Sequence, residues 1–499
     1  MRNHEPIVLQ NFKGLWQRNS PENTPLDHFQ DCSNVMAVGE NWVTRNGVGL
    51  SQIVAVPLED VKRIYNYATQ TANTTLVLTY DGTTGKIYHV INSATVYLIL
   101  TVTGMTDFAF ASYAGYAYLS PFGTFTTGDL NIQKGLSGQF VYVYLGAGLP
   151  AVKAAGVAPV GALSIANGAA GNTDPGFKLF GVVFESNTGA LSGIGAISSF
   201  TTVSTNSVSF GTVPTGGATV VKRHIVATKS ITGYNGNTTG YIYYFIPNGT
   251  INDNVTLFLN NVSFFDADLL EDASHLLDNF AEIPAGAVLS IYHNRLVVGA
   301  TFTDISAVWV SEAGEPEAIS QIDGLLIVPP DGNPITNAQE LRDILYVFKR
   351  SRTIGFIDNG DVPSSWELTV IDNALGTSVH GIATVLDSGS TSVDFLIVAT
   401  YAGILLFSGK YVLPELTWKI QALWFIQDRN FYRKIQIINS PVTKQILCVI
   451  PDGRLLVGDY ANGYDAKNIR WSTWNYQVFL NCIAIVNIDE IVLGADLVL

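Results

Sequence analysis

Apolar positions along this chain fall in short runs separated by tight polar turns, and one shape recurs: an apolar run, a turn, and a second apolar run. Leu76-Val77-Leu78-Thr79-Tyr80 turns at Asp81-Gly82 and returns as Lys86-Ile87-Tyr88. The same shape turns at Ala114-Gly115, at His293-Asn294, around Lys349-Arg350, at Ala402-Gly403 and at Asp452-Gly453. Each is a β-hairpin signal, because Gly, Asn and Asp accept the backbone angles that tight turns demand. Helical periodicity is weak throughout, and only residues 266–280 and 337–343 carry a pattern compatible with short helices.

The turn centres from 293 onward are spaced by about 57, 52 and 50 residues, close to the repeat of a four-stranded propeller blade. An interval of about 32 between 82 and 114 reads as a reduced blade, and one of about 179 between 114 and 293 leaves room for an inserted domain. Residues 146–171 are rich in Ala, Gly and Pro and read as a linker. Short strands then follow at 176–185, 201–210, 219–227, 241–247 and 256–262, the spacing of a small β-sandwich of immunoglobulin-like or fibronectin type III-like kind. The fold class is therefore all-β: a six- or seven-bladed β-propeller interrupted by an immunoglobulin-like β-sandwich. The division is an N-terminal arm over 1–40, a first propeller part over 41–148, the insert over 149–275 and a second propeller part over 276–499. A propeller must close its ring, and residues 41–51 and 483–499 are expected to complete each other in one blade, removing an exposed edge.

The N-terminal region carries a more particular pattern. An apolar arm ends in Phe12-Lys13-Gly14-Leu15-Trp16, a proline-containing polar segment follows, and Trp42-Val43-Thr44-Arg45-Asn46-Gly47 enters a strand. With the Tyr292-His293-Asn294-Arg295-Leu296 hairpin, this order resembles β-propeller structural proteins of tailed-bacteriophage virions, of tail nozzle and tail hub type. In that family the Arg45-Asn46-Gly47 element often reads Arg-Pro-Gly, so Asn46 is a departure. The resemblance implies a virion protein of the phage tail, assembled in the host cytoplasm. Its partners would be copies of itself in a ring, six in the usual case, and other tail proteins. Phage DNA would pass through the ring's channel non-specifically, without membrane insertion. Phe12, Lys13, Leu15 and Trp16 are the candidate assembly arm, since leaving such residues exposed on a monomer is costly.

Composition agrees with a covered, non-enzymatic protein. Charged residues are 14% of the 499, against about 25% in ordinary soluble chains. The net charge of −14 has the wrong sign for gripping nucleic-acid phosphates. Three widely spaced cysteines, Cys32, Cys448 and Cys482, suggest neither a disulfide framework nor a metal knuckle, and the last two sit in apolar runs as buried thiols. The N-terminus lacks the apolar core of a signal peptide, and no apolar stretch approaches the ~20 residues that span a bilayer.

Candidate chemistry is sparse. No Gly-x-Ser-x-Gly element occurs, and Gly193-Ile194-Gly195 opens no helix, so a dinucleotide loop is excluded by context. The seven histidines, His4, His28, His89, His224, His275, His293 and His380, lack ligand spacing and read as structural. Glycan cleavage would need paired carboxylates. Asp331 with Glu340 and Asp343 is one candidate group and Asp358 with Asp361 another, although Asp-Gly and Asn-Gly steps serve turns. Asp266, Asp268, Glu271 and Asp272 could offer oxygens to calcium but lack an EF-hand loop. Scattered tryptophans are assigned to packing. The reading is thus a structural protein with no catalytic, cofactor-binding or metal-binding residue; the alternatives are a carbohydrate-binding or glycan-cleaving propeller of a tail appendage, or a decoration protein.

Overall fold

The computed structural model describes residues 33–38, 41–44, 59–68, 73–92, 94–127, 130–146, 148–326, 328–329, 331–372, 375–385, 395–409, 415–425, 434–476, 478–486 and 490–496. Strands β1 (Val35–Val38) and β2 (Asn41–Thr44) form a hairpin. An up-and-down sheet follows from β3 (Asp60–Ala68), β4 (Asn73–Tyr80), β5 (Thr84–Val90) and β6 (Val96–Thr103). The next contains β7 (Asp107–Tyr113), β8 (Tyr116–Thr127), β9 (Leu130–Gly135), β10 (Tyr142–Tyr144) and β11 (Val152–Lys153), with the long β8 pairing with β7, β9 and β10.

A different unit then interrupts the series. Its strands are β12 (Ser164–Ala170), β13 (Gly176–Ser186), β14 (Gly195–Thr202), β15 (Asn206–Gly211), β16 (Val220–Thr228), β17 (Tyr243–Ile251) and β18 (Leu259–Val262). They form two sheets, ordered β12-β15-β18 and β14-β13-β16-β17. Phe180, Val182 and Phe184 of the second sheet share one core with Val208, Phe210 and Val262 of the first. The two sheets thus form a sandwich-like unit around one core. Its strand order differs from the immunoglobulin arrangement, in which the first strand pairs with the second: here β12 pairs with β15, and β13 is flanked by β14 and β16. Strand spacing in a sequence reveals a sandwich but not which strands are neighbours. The interval 201–210, read as one strand, spans the end of β14 and most of β15, and the supposed linker contains β11 and β12.

Antiparallel meanders then resume with β19 (Gly286–Tyr292), β20 (Arg295–Thr301), β21 (Val308–Val310) and β22 (Leu325–Leu326). The next sheet is β23 (Ile335–Leu341), β24 (Ile344–Lys349), β25 (Thr353–Ile357) and β26 (Glu367–Asp372). After it come β27 (Ile382–Val385), β28 (Phe395–Ala399) and β29 (Ile404–Phe407), then a short helix α1 (Gln421–Phe425). The last sheets are β30 (Gln436–Ser440), β31 (Gln445–Val449), β32 (Leu455–Asp459) and β33 (Arg470–Trp474), and the hairpin β34 (Leu480–Val486) with β35 (Glu490–Ala495). Of the two helical expectations, residues 266–280 contain the 3-10 turns Asp266–Asp268 and Ser274–Asp278, whereas 337–343 lie in β23 and its turn.

Successive sheets share apolar cores in a closed circle. Leu76 and Ile87 pack in one cluster with Phe108 and Leu119; Tyr118, Val297 and Leu345 belong to the next; Phe348 joins Phe407; Ile397 joins Ile437; Leu447 joins Ile483; and Cys482 returns to Ile64 and Val77. The result is an all-β fold of propeller type. Because each sheet is covered on both faces by its neighbours, β20, β31, β32 and β33 are buried at every position. That explains apolar runs where a half-exposed strand would alternate. Each such side chain contributes roughly 1.5–3 kcal/mol on burial.

Ring closure takes a form different from the expected one. Within the described residues, β2 pairs with β1, and Ser33 bridges Thr473 at the edge of β33, with Trp474 Nε1 donating to the Val35 carbonyl at 2.9 Å. The C-terminal strands instead pair with each other, and β34 packs on β3. Residues 45–51 lie outside the described set.

Candidate functional site

The first strands of the meanders line a central bore, which holds a cavity of about 300 Å³ bordered by Tyr65, Phe110, Leu289, Asn337, His380 and Ile485 among others. A buried polar network occupies its margin. Arg63 on β3 donates from Nε and Nη2 to the two carboxylate oxygens of Asp107 on β7, at 2.9 and 2.6 Å. Its Nη1 donates to Gln436 Oε1 on β30 at 2.8 Å, and Gln436 Nε2 donates in turn to the Ile483 carbonyl on β34 at 2.8 Å. His380 Nε2, just before β27, lies 2.9 Å from Asp107 Oδ2. Burial would raise the Asp107 pKa, but Arg63 and His380 hold it well below the usual carboxylate range. Burial, reinforced by Arg63, keeps the His380 pKa below its ordinary value against the pull of Asp107. One fork-like guanidinium thus pins sheets from several parts of the ring, geometry that Lys could not supply.

A second polar node holds the sandwich to the ring. Glu317, 3% exposed, lies beyond β21. Its Oε1 accepts from Thr188 Oγ1 of the sandwich at 3.0 Å and from Tyr118 Oη of β8 at 3.3 Å, and its Oε2 accepts from the Ala155 backbone N–H at 2.7 Å. Burial pushes the carboxyl pKa up, and the three donors offset this only in part. Glu317 forms a wall of two cavities. One of about 390 Å³ is lined by Val143, Val152, Phe184, Thr188 and Val220. The other, about 280 Å³, has Tyr113, Tyr116, Tyr118, Glu315 and Leu191 on its walls.

The third constellation sits on two hairpin turns. Between β19 and β20 the turn is His293-Asn294, with φ of 44° and 60°, and between β23 and β24 it is Arg342-Asp343, with φ of 52° and 60°. Paired left-handed residues are the signature of type I′ turns. His293 Nε2 lies 3.8 Å from Glu340 Oε1 and 3.5 Å from Asp343 Oδ1, while its Nδ1 is 3.9 Å from Asp358 Oδ2. Arg295 Nε donates to Asp358 Oδ2 at 3.2 Å, and the Tyr292 ring stacks on His293 with centroids 4.2 Å apart.

The two carboxylate groups suggested by the sequence are therefore rearranged. Glu340, Asp343 and Asp358 converge on His293. Asp331 is engaged by Lys349 at 2.6 Å and Arg352 at 3.4 Å, and Asp361 lies in a turn whose carbonyl accepts from Trp366 Nε1. The suggested calcium residues do not converge: Asp266 pairs with the buried Lys178, Asp268 accepts from the Phe265 N–H, and Asp272 accepts from the Ser274 N–H. His89 is buried between Tyr144 and Thr74, and His224 pairs with Glu185 and Thr250, which is the structural role expected of them. Cys448 and Cys482 are buried free thiols. Trp366, Trp424, Trp471 and Trp474 are buried packing residues. Phe12, Lys13, Leu15 and Trp16, together with His4, His28 and Cys32, lie outside the described residues. Arg63, Asp107 and Glu317 were not singled out from sequence; Asp107 stood out as a lone charge before an apolar run, whereas Arg63 and Glu317 are flanked by other charged residues.

No family model matches the chain, and no curated protein matches it. Among solved structures, apo AztD from Citrobacter koseri is similar over 88% of this chain and 90% of its own, with 10% identity and a TM-score of 0.33. The Pan2 WD40 domain of Neurospora crassa covers 88% of this chain and 86% of its own at 8% identity and a TM-score of 0.29. Hsv2 of Kluyveromyces lactis covers 84% and 98% at 11% identity and a TM-score of 0.26. At that distance they carry no argument, and the propeller character of this chain rests on its own sheet order and closed circle of cores.

Proposed function

We propose that this protein is a structural component of a tailed-phage virion, a nozzle- or hub-type propeller that assembles as a ring of copies around the path of the DNA. We read the body as seven-bladed, its first strands being β3, β7, β19, β23, β27, β30 and β34. The observation that supports the assembly role is a set of highly exposed apolar side chains on the sandwich unit and its flanks. Val160 is 84% exposed, Val255 78%, Phe258 60% and Leu270 82%, in a chain with little surface charge. Apolar groups presented in this way suit contact with another protein. In this reading DNA passes through the ring of copies, past acidic walls that do not grip it, and not through the bore of a single chain, whose margin the Arg63 network occupies. The arm of Phe12, Lys13, Leu15 and Trp16 docks on a neighbouring copy.

The test is imaging of the purified full chain beside a variant lacking residues 6–16. A ring with a central opening is expected for the full chain, and a folded but unassembled product for the deletion. A monomeric full chain, or unchanged rings without the arm, overturns the proposal. The glycan-binding alternative is favoured by one observation: Tyr113, Tyr116 and Tyr118 share a cavity with Glu315 and Glu317. Aromatic faces beside carboxylates suit a sugar. Saturable oligosaccharide binding that Tyr116→Ala abolishes would favour that reading.

A further inference from the structure

Two neighbouring hairpin turns place three potential ligand atoms, from His293, Glu340 and Asp343, within 4.8 Å of one another. We propose that these residues bind a divalent transition-metal ion, Zn²⁺ or Mn²⁺, which clips the β19–β20 turn to the β23–β24 turn. The inference goes beyond the assembly role and does not depend on it.

The distances are close to those of a formed site. Ligand atoms about 2.0–2.1 Å from a tetrahedral ion stand roughly 3.3 Å apart. His293 Nε2 is already 3.5 Å from Asp343 Oδ1 and 3.8 Å from Glu340 Oε1. The three ligand atoms must still draw together from separations of up to 4.8 Å, and Asp343, with its side chain 90% exposed, has room to move.

The group is more than an acidic patch, because an imidazole supplies one of its three donors. Among the described residues, neither the Glu340 nor the Asp343 carboxylate has another ionic or hydrogen-bonding partner, so two negative charges face one imidazole. The nearby Arg295 is turned to Asp358 and to the Ser311 carbonyl.

The surroundings orient the imidazole independently of those carboxylates. Asp358 stands on the Nδ1 side of His293, its Oδ2 3.9 Å from Nδ1 and beyond direct hydrogen-bond reach. Arg295 holds Asp358 in place, and the Asp358 backbone N–H donates to Tyr292 Oη, whose ring stacks on the imidazole. One nitrogen and two carboxylate oxygens match ions between the oxygen-preferring and imidazole-preferring classes. Three protein ligands leave a position for water.

The test uses the full chain stripped with a chelator and titrated calorimetrically with Zn²⁺ and, separately, Mn²⁺. One ion per chain is expected for at least one metal. His293→Ala and Glu340→Gln should each lose at least about tenfold in affinity. Asp361→Asn, an acidic change in a nearby turn, should bind like the parent. Metal-free melting curves separate a lost ligand from a lost fold, and Glu340→Gln, half-exposed and isosteric, serves if His293→Ala fails to fold. The proposal is overturned if neither ion binds saturably, or if folded Glu340→Gln binds as tightly as the parent.

Discussion

Single polar residues at the seams between sheets hold the tightest physical constraints in this molecule. Removing the charge of Asp107 would leave Arg63 buried without its counter-ion. Asp107→Asn is expected to destabilise the chain by about 3–5 kcal/mol, read as a lowered urea midpoint at neutral pH. The two nodes respond to pH in opposite directions. Asp107 has a lowered pKa in the fold, so its contribution is present above about pH 3.9 and is lost as pH falls through the folded value. His380, also lowered, contributes fully above about pH 6.5 and loses that contribution on acidification. Glu317 is raised, so its contribution is complete below about pH 4.3 and declines as pH rises through the folded value. Glu317→Gln should therefore flatten the decline on the alkaline side while leaving acid stability close to the parent's, measured as urea midpoints across pH. A lone Asp before an apolar run looks alike in any strand of the sequence; only its place facing Arg63 from 44 positions away gives it this role.

At the scale of the strand and turn, six hairpins were legible, and their phase within the sheets was not. The turn at Gly82 joins β4 to β5, the second and third strands of their sheet, whereas Ala114-Gly115 joins β7 to β8, the first and second of theirs. The short interval between them compares unlike turns; it is not a reduced blade, because β3–β6 is a complete four-stranded sheet. The turns near 350, 402 and 452 are all second-to-third turns, which is why their spacing was regular. Residues 337–343 misled for another reason: Ala338, Gln339, Glu340, Leu341 and Arg342 are good helix formers, but pairing with β24 outweighs their weak intrinsic preference. Close packing also fixes particular positions. A Cβ on Gly458 of β32 would stand 2.6 Å from the ring of Trp471, which is fully buried on β33. Gly458→Ala is expected to cost roughly 1–3 kcal/mol, seen as a lower melting temperature. The metal-ligand geometry was hidden from sequence because it joins turns of two sheets, and only the His293-Asn294 turn was legible by itself; Arg342-Asp343 fell in the segment read as a helix.

The molecule as a whole separates a ring that must be complete from a sandwich that hangs on it. Phe180 and Phe210 lie at the centre of the sandwich's own core, and its chief polar tie to the ring is Glu317. Replacing residues 160–268 with a short Gly/Ser linker should therefore leave a cooperatively melting propeller. Ending the chain at residue 479 should abolish cooperative melting, because β34 and β35 bridge the sheet of β30–β33 to β3. That bridge has a consequence for synthesis. Ile64 and Val77 are translated about 400 residues before Cys482 and Ala484, which cover them. At about 5–20 residues per second, an interval of roughly 20–80 s separates the two on the ribosome. Through that interval the nascent protein carries a bare greasy flank, making it a natural client for a chaperone that shields unfinished chains until the β34–β35 hairpin emerges.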